Sequence, residues 1–136
     1  MGKDHSTHKV NVNVPEGWQV EDWKRFVELP YFRAKWIHLG LNDEDLRALQ
    51  VGLTTSPQRW PVVGGTGGLR KMRFASPRSN RGKSGSYRIG YVYFEEFGVI
   101  GLISVYAKND QANIPAAQKA QIKKAIDQLR DWVENN

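Results

Sequence analysis

The sequence predicts a small α+β fold, with helices before and after a sheet. Three observations carry that expectation. Between Gly64 and Lys108, the segments LRKMRFA, SYRIGYVYF and VIGLISVYAK alternate apolar and polar side chains with the two-residue period of strands. Ahead of them DEDLRALQVGLTT, and after them AAQKAQIKKAIDQLRDWVENN, place apolar residues at helical spacing. No internal repeat or low-complexity tract divides the 136 residues, so one main domain is expected.

The composition narrows the classes of function. A 40% apolar content with five Trp is that of a globular chain rather than a disordered one. No apolar run approaches the roughly 20 residues of a membrane span. MGKDHSTHKVNVNV lacks the apolar centre of a secretory signal, so export is not expected. Absence of cysteine excludes disulfides and thiolate zinc sites and fits a cytoplasmic protein. The formal charge of +6 favours anionic partners such as nucleic acid. Its distribution is more telling: from Leu69 to Arg88 there are seven Lys or Arg residues and no acid.

Residues 1–24 read as an extension, partly ordered at most. VNVNV has strand alternation and Pro15-Glu16-Gly17 closes it as a turn. His5 and His8 lack a third ligand and are not taken as a metal site. From Val20 to Leu39 two readings stand: two short helices broken at Pro30, or KRFVEL as a strand followed by the helix YFRAKWIHL, with Pro30 in its first turn. His38 falls at the helix end near Gly40. Asn42 caps the helix DEDLRALQVGLTT, whose first-turn acids Asp43, Glu44 and Asp45 suit the helix dipole and lack the spacing of a calcium loop. Leu46, Leu49, Gln50 and Leu53 share a face, and Ser56-Pro57 ends the helix.

The connector SPQRWPVVGGTGG invites comparison with phosphate-cradling loops, but GGTGGLR fails G-x-G-x-x-G at Arg70. Gly82-Lys83-Ser84 has Pro77 where a Walker loop needs glycine. The last helix begins around Pro115, with Ile122, Ala125, Ile126, Leu129 and Val133 on one stripe and Trp132 beside it. Lys119, Lys123, Lys124 and Arg130 lie mostly elsewhere on its surface.

Side-chain parity supplies the candidate site. Met72 and Phe74 oppose Lys71 and Arg73; Ile89 and Tyr91 oppose Arg88; Ile103, Val105 and Ala107 oppose Ser104, Tyr106 and Lys108. If the apolar sets face one core, Lys71, Arg73, Arg88 and Lys108 emerge together on the opposite surface, which suits phosphate. No metal or cofactor is expected.

GTGGLRKMRFA, GSYRIGYVY, ISVYAKND and PAAQK with the final helix resemble the RelE/HigB-like toxins of bacterial type II toxin–antitoxin modules, over roughly Arg25 to Arg130. The resemblance implies a toxin domain over 25–136 with a small RelE-like α+β fold. That fold is a twisted antiparallel, mixed-edge sheet with N-terminal helices and a C-terminal helix packed on one face, and it favours KRFVEL as the first strand. It implies a ribosome-dependent mRNA endoribonuclease (an mRNA interferase) that inhibits translation.

Lys71 and Arg73 match the family's first group of active-site cations, Arg88 the second and Lys108 the third. Arg70, Arg78, Arg81, Lys83 and Tyr106 are then expected to bind RNA. The family's tyrosine beyond the last cation is replaced here by Ile114, leaving Tyr106 or Tyr91 to take its place. The expected chemistry is metal-independent attack of a 2′-hydroxyl on the adjacent phosphorus, with Lys71 or Arg73 at the 2′-oxygen, Arg88 bracing the transition state and Lys108 at the leaving oxygen. Implied partners are the ribosome, mRNA, a helix-turn-helix HigA-like antitoxin and, only through that complex, operator DNA; no membrane is implied. Two other classes remain open: a non-catalytic RelE/ParE-fold toxin directed at a protein such as gyrase, and a nucleic-acid-binding module without cleavage.

Overall fold

The computed structural model describes residues 24–77, 87–108 and 114–136, and the backbone of 7–9. The chain runs β1 (Thr7–Lys9), β2 (Arg25–Glu28), α1 (Pro30–His38), α2 (Asp43–Thr55), β3 (Arg70–Phe74), β4 (Tyr87–Phe94), β5 (Val99–Ala107) and α3 (Ala116–Glu134). The stretch before Leu39 is thus a strand followed by a helix, with Pro30 in the first turn of α1. The expected VNVNV strand lies outside the described residues. Within the N-terminal extension, β1 pairs antiparallel with β2.

The sheet is mixed, in the order β1-β2-β5-β4-β3. β3, β4 and β5 form an antiparallel meander, and β2 runs parallel to β5. Glu95–Phe97 makes one 3₁₀ turn between β4 and β5, closed by Gly98 in the left-handed conformation.

α2 starts as its sequence dictates. The Asn42 side chain accepts from the Asp45 amide, and the Asp45 carboxylate accepts from the Asn42 amide, both at 2.9 Å. Asp45 is fully buried and also accepts from the Ser76 hydroxyl at 2.6 Å. That bond ties the start of α2 to the chain leaving β3.

The helices do not share one face of the sheet, as the resemblance implied. α1 and α2 lay Phe32, Trp36, Leu46, Leu49 and Leu53 against Phe26, Phe74, Ile89, Tyr91, Ile100, Leu102 and Val105. α3 covers the other face, where Ile126, Leu129 and Val133 meet Val27, Leu69, Val92, Phe94, Val99 and Ile103. The reason is visible in VIGLI. A continuous apolar run is buried on both sides, as strands covered by two layers are. Each fully buried aliphatic side chain contributes roughly 1.5–3 kcal/mol, so leaving either set bare is unfavourable.

The second departure concerns β5. Gly90 pairs with Ser104, but Tyr91 pairs with Leu102, so Ile103 is an extra residue, a β-bulge. Ile100 and Leu102 face α1 and α2 before it, and Val105 faces them after it. Ile103 joins the α3 layer instead. The expectation that Ile103 and Val105 share a face is therefore corrected. The added residue puts the two halves of the strand out of phase, and the second half turns Tyr106 to the side of Arg88.

Candidate functional site

α3 covers the part of its face built by Val92, Phe94, Val99 and Ile103. The rest of that face, toward the other ends of β4 and β5, carries the cations. Arg73 stands directly opposite Arg88, and Arg88 directly opposite Tyr106, giving a row across three neighbouring strands. Directly opposed side chains have Cβ atoms about 4.5–5.5 Å apart, so one phosphodiester can touch more than one member of the row.

Lys71 lies in the next row, opposite Gly90, which in turn faces Ser104. A Cβ at Gly90 would collide with the Ser104 hydroxyl and lie 3.1 Å from Leu69 Cδ1. The glycine keeps this row low. The ammonium of Lys71 crosses diagonally to lie 5.8 Å from the centre of the Tyr106 ring. Lys71, Arg88 and Tyr106 are half-buried and Arg73 is exposed.

Arg73 has an aromatic support that alternation does not reveal. Trp60, in the connector beside edge strand β3, lies 5.3 Å from the Arg73 guanidinium and 5.0 Å from that of Arg59. Such cation–π contacts are worth about 0.5–1 kcal/mol at exposed sites. The connector is itself held by Arg70, whose guanidinium donates to the carbonyls of Gln58 and Trp60. Arg70 has the parity of Met72 and Phe74, so it stands apart from the cationic row expected to bind RNA with it.

Lys108 follows the last residue of β5 and is exposed. It keeps the parity of Tyr106 but lies outside the Arg73–Arg88–Tyr106 row. Arg78, Arg81 and Lys83 lie outside the described residues. Of the two candidate tyrosines, Tyr91 is enclosed in the α1–α2 core, and its hydroxyl donates to the Pro57 carbonyl at 2.8 Å. Burial raises its pKa above 10.0, opposed by the nearby Arg70 charge and a backbone hydrogen bond. Tyr106 alone of the pair lies with the cations.

The glycine connector is structural. Thr66 is fully buried, donates to the Val63 carbonyl and accepts from the Leu69 amide at 3.0 Å. Gly67 has φ 79° beside Lys123 of α3, which places the loop against that helix. The basic residues of α3 are partly engaged: Lys123 pairs with Asp127 at 2.8 Å, and Arg130 lies 5.1 Å from the Phe94 ring. Among the described residues, no group of three His, Asp or Glu side chains is disposed to hold a metal ion.

Chemically, the row offers guanidinium forks for bidentate phosphate binding and an ammonium that can approach a phosphate as a point charge. Trp60 and Gly90 are the contributors that strand alternation missed. Gly90 had a signal, a glycine within an otherwise regular strand, which marks close approach of another group. No family model matches this chain. None of the described helices is long and apolar enough to cross a membrane.

Proposed function

We propose that this protein is a RelE/HigB-like toxin, an endoribonuclease that cuts mRNA on the ribosome. One observation carries the reading: Lys71, Arg73 and Arg88 converge, with Tyr106, on the part of a sheet face beyond the apolar patch that α3 packs on. The α1–α2 core packs behind these residues on the opposite face of the sheet, the α3 layer flanks them on their own face, and Trp60 supports Arg73 from the edge.

In the proposed reaction, a 2′-hydroxyl oxygen, held by Lys71 or Arg73 with Tyr106 beside Lys71, attacks the adjacent phosphorus as its proton passes to water. Arg88 and Arg73 bind the non-bridging oxygens, whose charge grows in the transition state. The bond to the 5′-oxygen breaks, that oxygen is protonated with Lys108 as donor, and a 2′,3′-cyclic phosphate remains. Each acid or base is worth about 10²–10⁴ in rate. The cytoplasm and a helix-turn-helix antitoxin complete the proposal.

Primer extension on mRNA after induction tests it, with wild type compared against Arg88→Ala and Lys108→Ala. Cleavage within codons by wild type and its loss in Arg88→Ala is expected. Full cleavage and toxicity in both variants would remove the assignment. RNA binding with no cleavage by wild type leaves a binding module; gyrase inhibition without cleavage points to a protein target.

A further inference from the structure

Beside the cationic row lies a cavity of about 360 Å³, open on one side, between β5, the start of α1 and the first half of α3. Its volume falls in the usual range for small-molecule sites, roughly 300–1,000 Å³. Tyr31 and Tyr106 supply aromatic walls, Ile103 and Ile122 an apolar floor, and Ser104, Gln118 and Gln121 hydrogen-bonding groups. The Tyr106 hydroxyl is shielded from solvent and has no hydrogen-bond partner among the described residues. An unpaired hydroxyl of this kind costs free energy that a bound polar group can recover.

Tyr106 belongs to both places. It lines the cavity, stands opposite Arg88 in the row and lies 5.8 Å from the Lys71 ammonium. A phosphate on the row and a flat group in the cavity would therefore sit on either side of one side chain. Among the described residues that line it there is no carboxylate, lysine or arginine, so this lining suits a neutral, flat, polar-edged group rather than a second phosphate. A nucleobase has that chemistry: a face for aromatic contact and an edge bearing donors and acceptors for carboxamides and hydroxyls.

We propose that this cavity is a base-binding subsite, which takes one nucleobase of the RNA strand whose phosphate lies on Lys71, Arg73 and Arg88. The proposal rests on the RNA reading of the row. It adds that selectivity among RNA sequences resides in α3 and in Tyr31, away from the cations. Gln118 and Gln121 read the base edge, and Tyr31 and Tyr106 contact its faces.

The test uses short 2′-O-methyl RNA backbones, which cannot be cut by 2′-hydroxyl attack. They are fully abasic or carry a single A, G, C or U at the centre, and binding to the full chain is measured by fluorescence anisotropy. At least one base is expected to bind about tenfold more tightly than the abasic strand, the scale of one stacked base. Ala125→Leu, which adds bulk to the half-buried Ala125 wall of the cavity, and Gln121→Ala, at an exposed position that folding does not need, should each bring that ratio toward one. Thermal melts by circular dichroism verify that both variants are folded.

Equal binding of base-bearing and abasic strands overturns the subsite while leaving the phosphate-binding row standing. A preference that survives both substitutions places base recognition elsewhere and also overturns it. If the abasic strand does not bind wild type, and no strand does, the row itself fails as an RNA site and the subsite falls with it.

Discussion

Replacing cations one at a time separates the residues that meet RNA from those that only make the sequence basic. Each single-strand phosphate neutralised by a side chain contributes about 0.7 to the slope of log affinity against log salt. Lys71, Arg73 and Arg88 share one face of the sheet; Arg70, from the same basic segment, is spent on the carbonyls of Gln58 and Trp60. Glutamine at any one of the three should lower the slope by about 0.7, and the triple replacement by about 2. Over a fourfold rise in salt, from about 50 to 200 mM, the salt-induced loss of affinity then shrinks about twentyfold in the triple variant and about two- to threefold in each single one.

Arg70→Gln should leave the slope where it was and lower thermal stability, since a charged donor to two carbonyls is lost, at a cost of about 1–3 kcal/mol. Anisotropy titrations of a labelled single-stranded RNA across the salt series read both effects. An Arg70 variant that flattens the slope as much as Arg88→Gln, or a triple variant with an unchanged slope, would refute the placement of the site on this face.

Three further outcomes follow from the packing. A Cβ at Gly101 would lie 2.6 Å from Leu129 Cδ2 and 3.0 Å from Val92 Cγ1, so Gly101→Ala should push α3 off the sheet and cost about 1–3 kcal/mol in urea unfolding. Asp45→Ala removes the capping-box partner of Asn42 and the acceptor of the Ser76 hydroxyl together, and should cost about 2–4 kcal/mol by the same measurement. Tyr91 and Tyr93 both have raised pKa values, Tyr91 chiefly through burial and Tyr93 through burial and then Glu95. Their neutral forms favour the fold, a contribution fully present below the unfolded value of 10.0 and lost as pH rises through the raised folded values. Tyr91→Phe should therefore lower stability at neutral pH, through the lost bond to Pro57, yet make the alkaline decline shallower.

Much of this was legible in the chain because strand parity and helix caps are local. Asn42 with Asp45 three residues on announced α2, and alternation gave Lys71, Arg73, Arg88 and Lys108 one surface, although Lys108, just past the end of β5, lies outside the row that Arg73, Arg88 and Tyr106 form. The same alternation already spoke against Arg70, which counts with Met72 and Phe74; the basic run around it drew attention from its position. The face chosen by α3 was not legible, because an apolar stripe states that a helix must be covered and not by which side of a sheet. Trp60 was hidden for a related reason: it reaches Arg73 around the edge of β3, a contact between segments whose approach only the tertiary fold decides. The bulge was hidden in VIGLISV, where apolar side chains stand at every position but Gly101 and Ser104 and so conceal a change of phase.

That extra residue means β5 is written in two reading frames. Inward positions are even-numbered up to Leu102 and odd-numbered from Val105, so chain length between the two is as much a part of the design as the side chains are. Dropping Ile103 would heal the ladder and keep Tyr106 outward, whereas dropping Val105 would oblige Ser104 to enter the oily layer. Homologues of different length at this point should be aligned from each end of the strand separately, since a single frame run through it would exchange wall for interior.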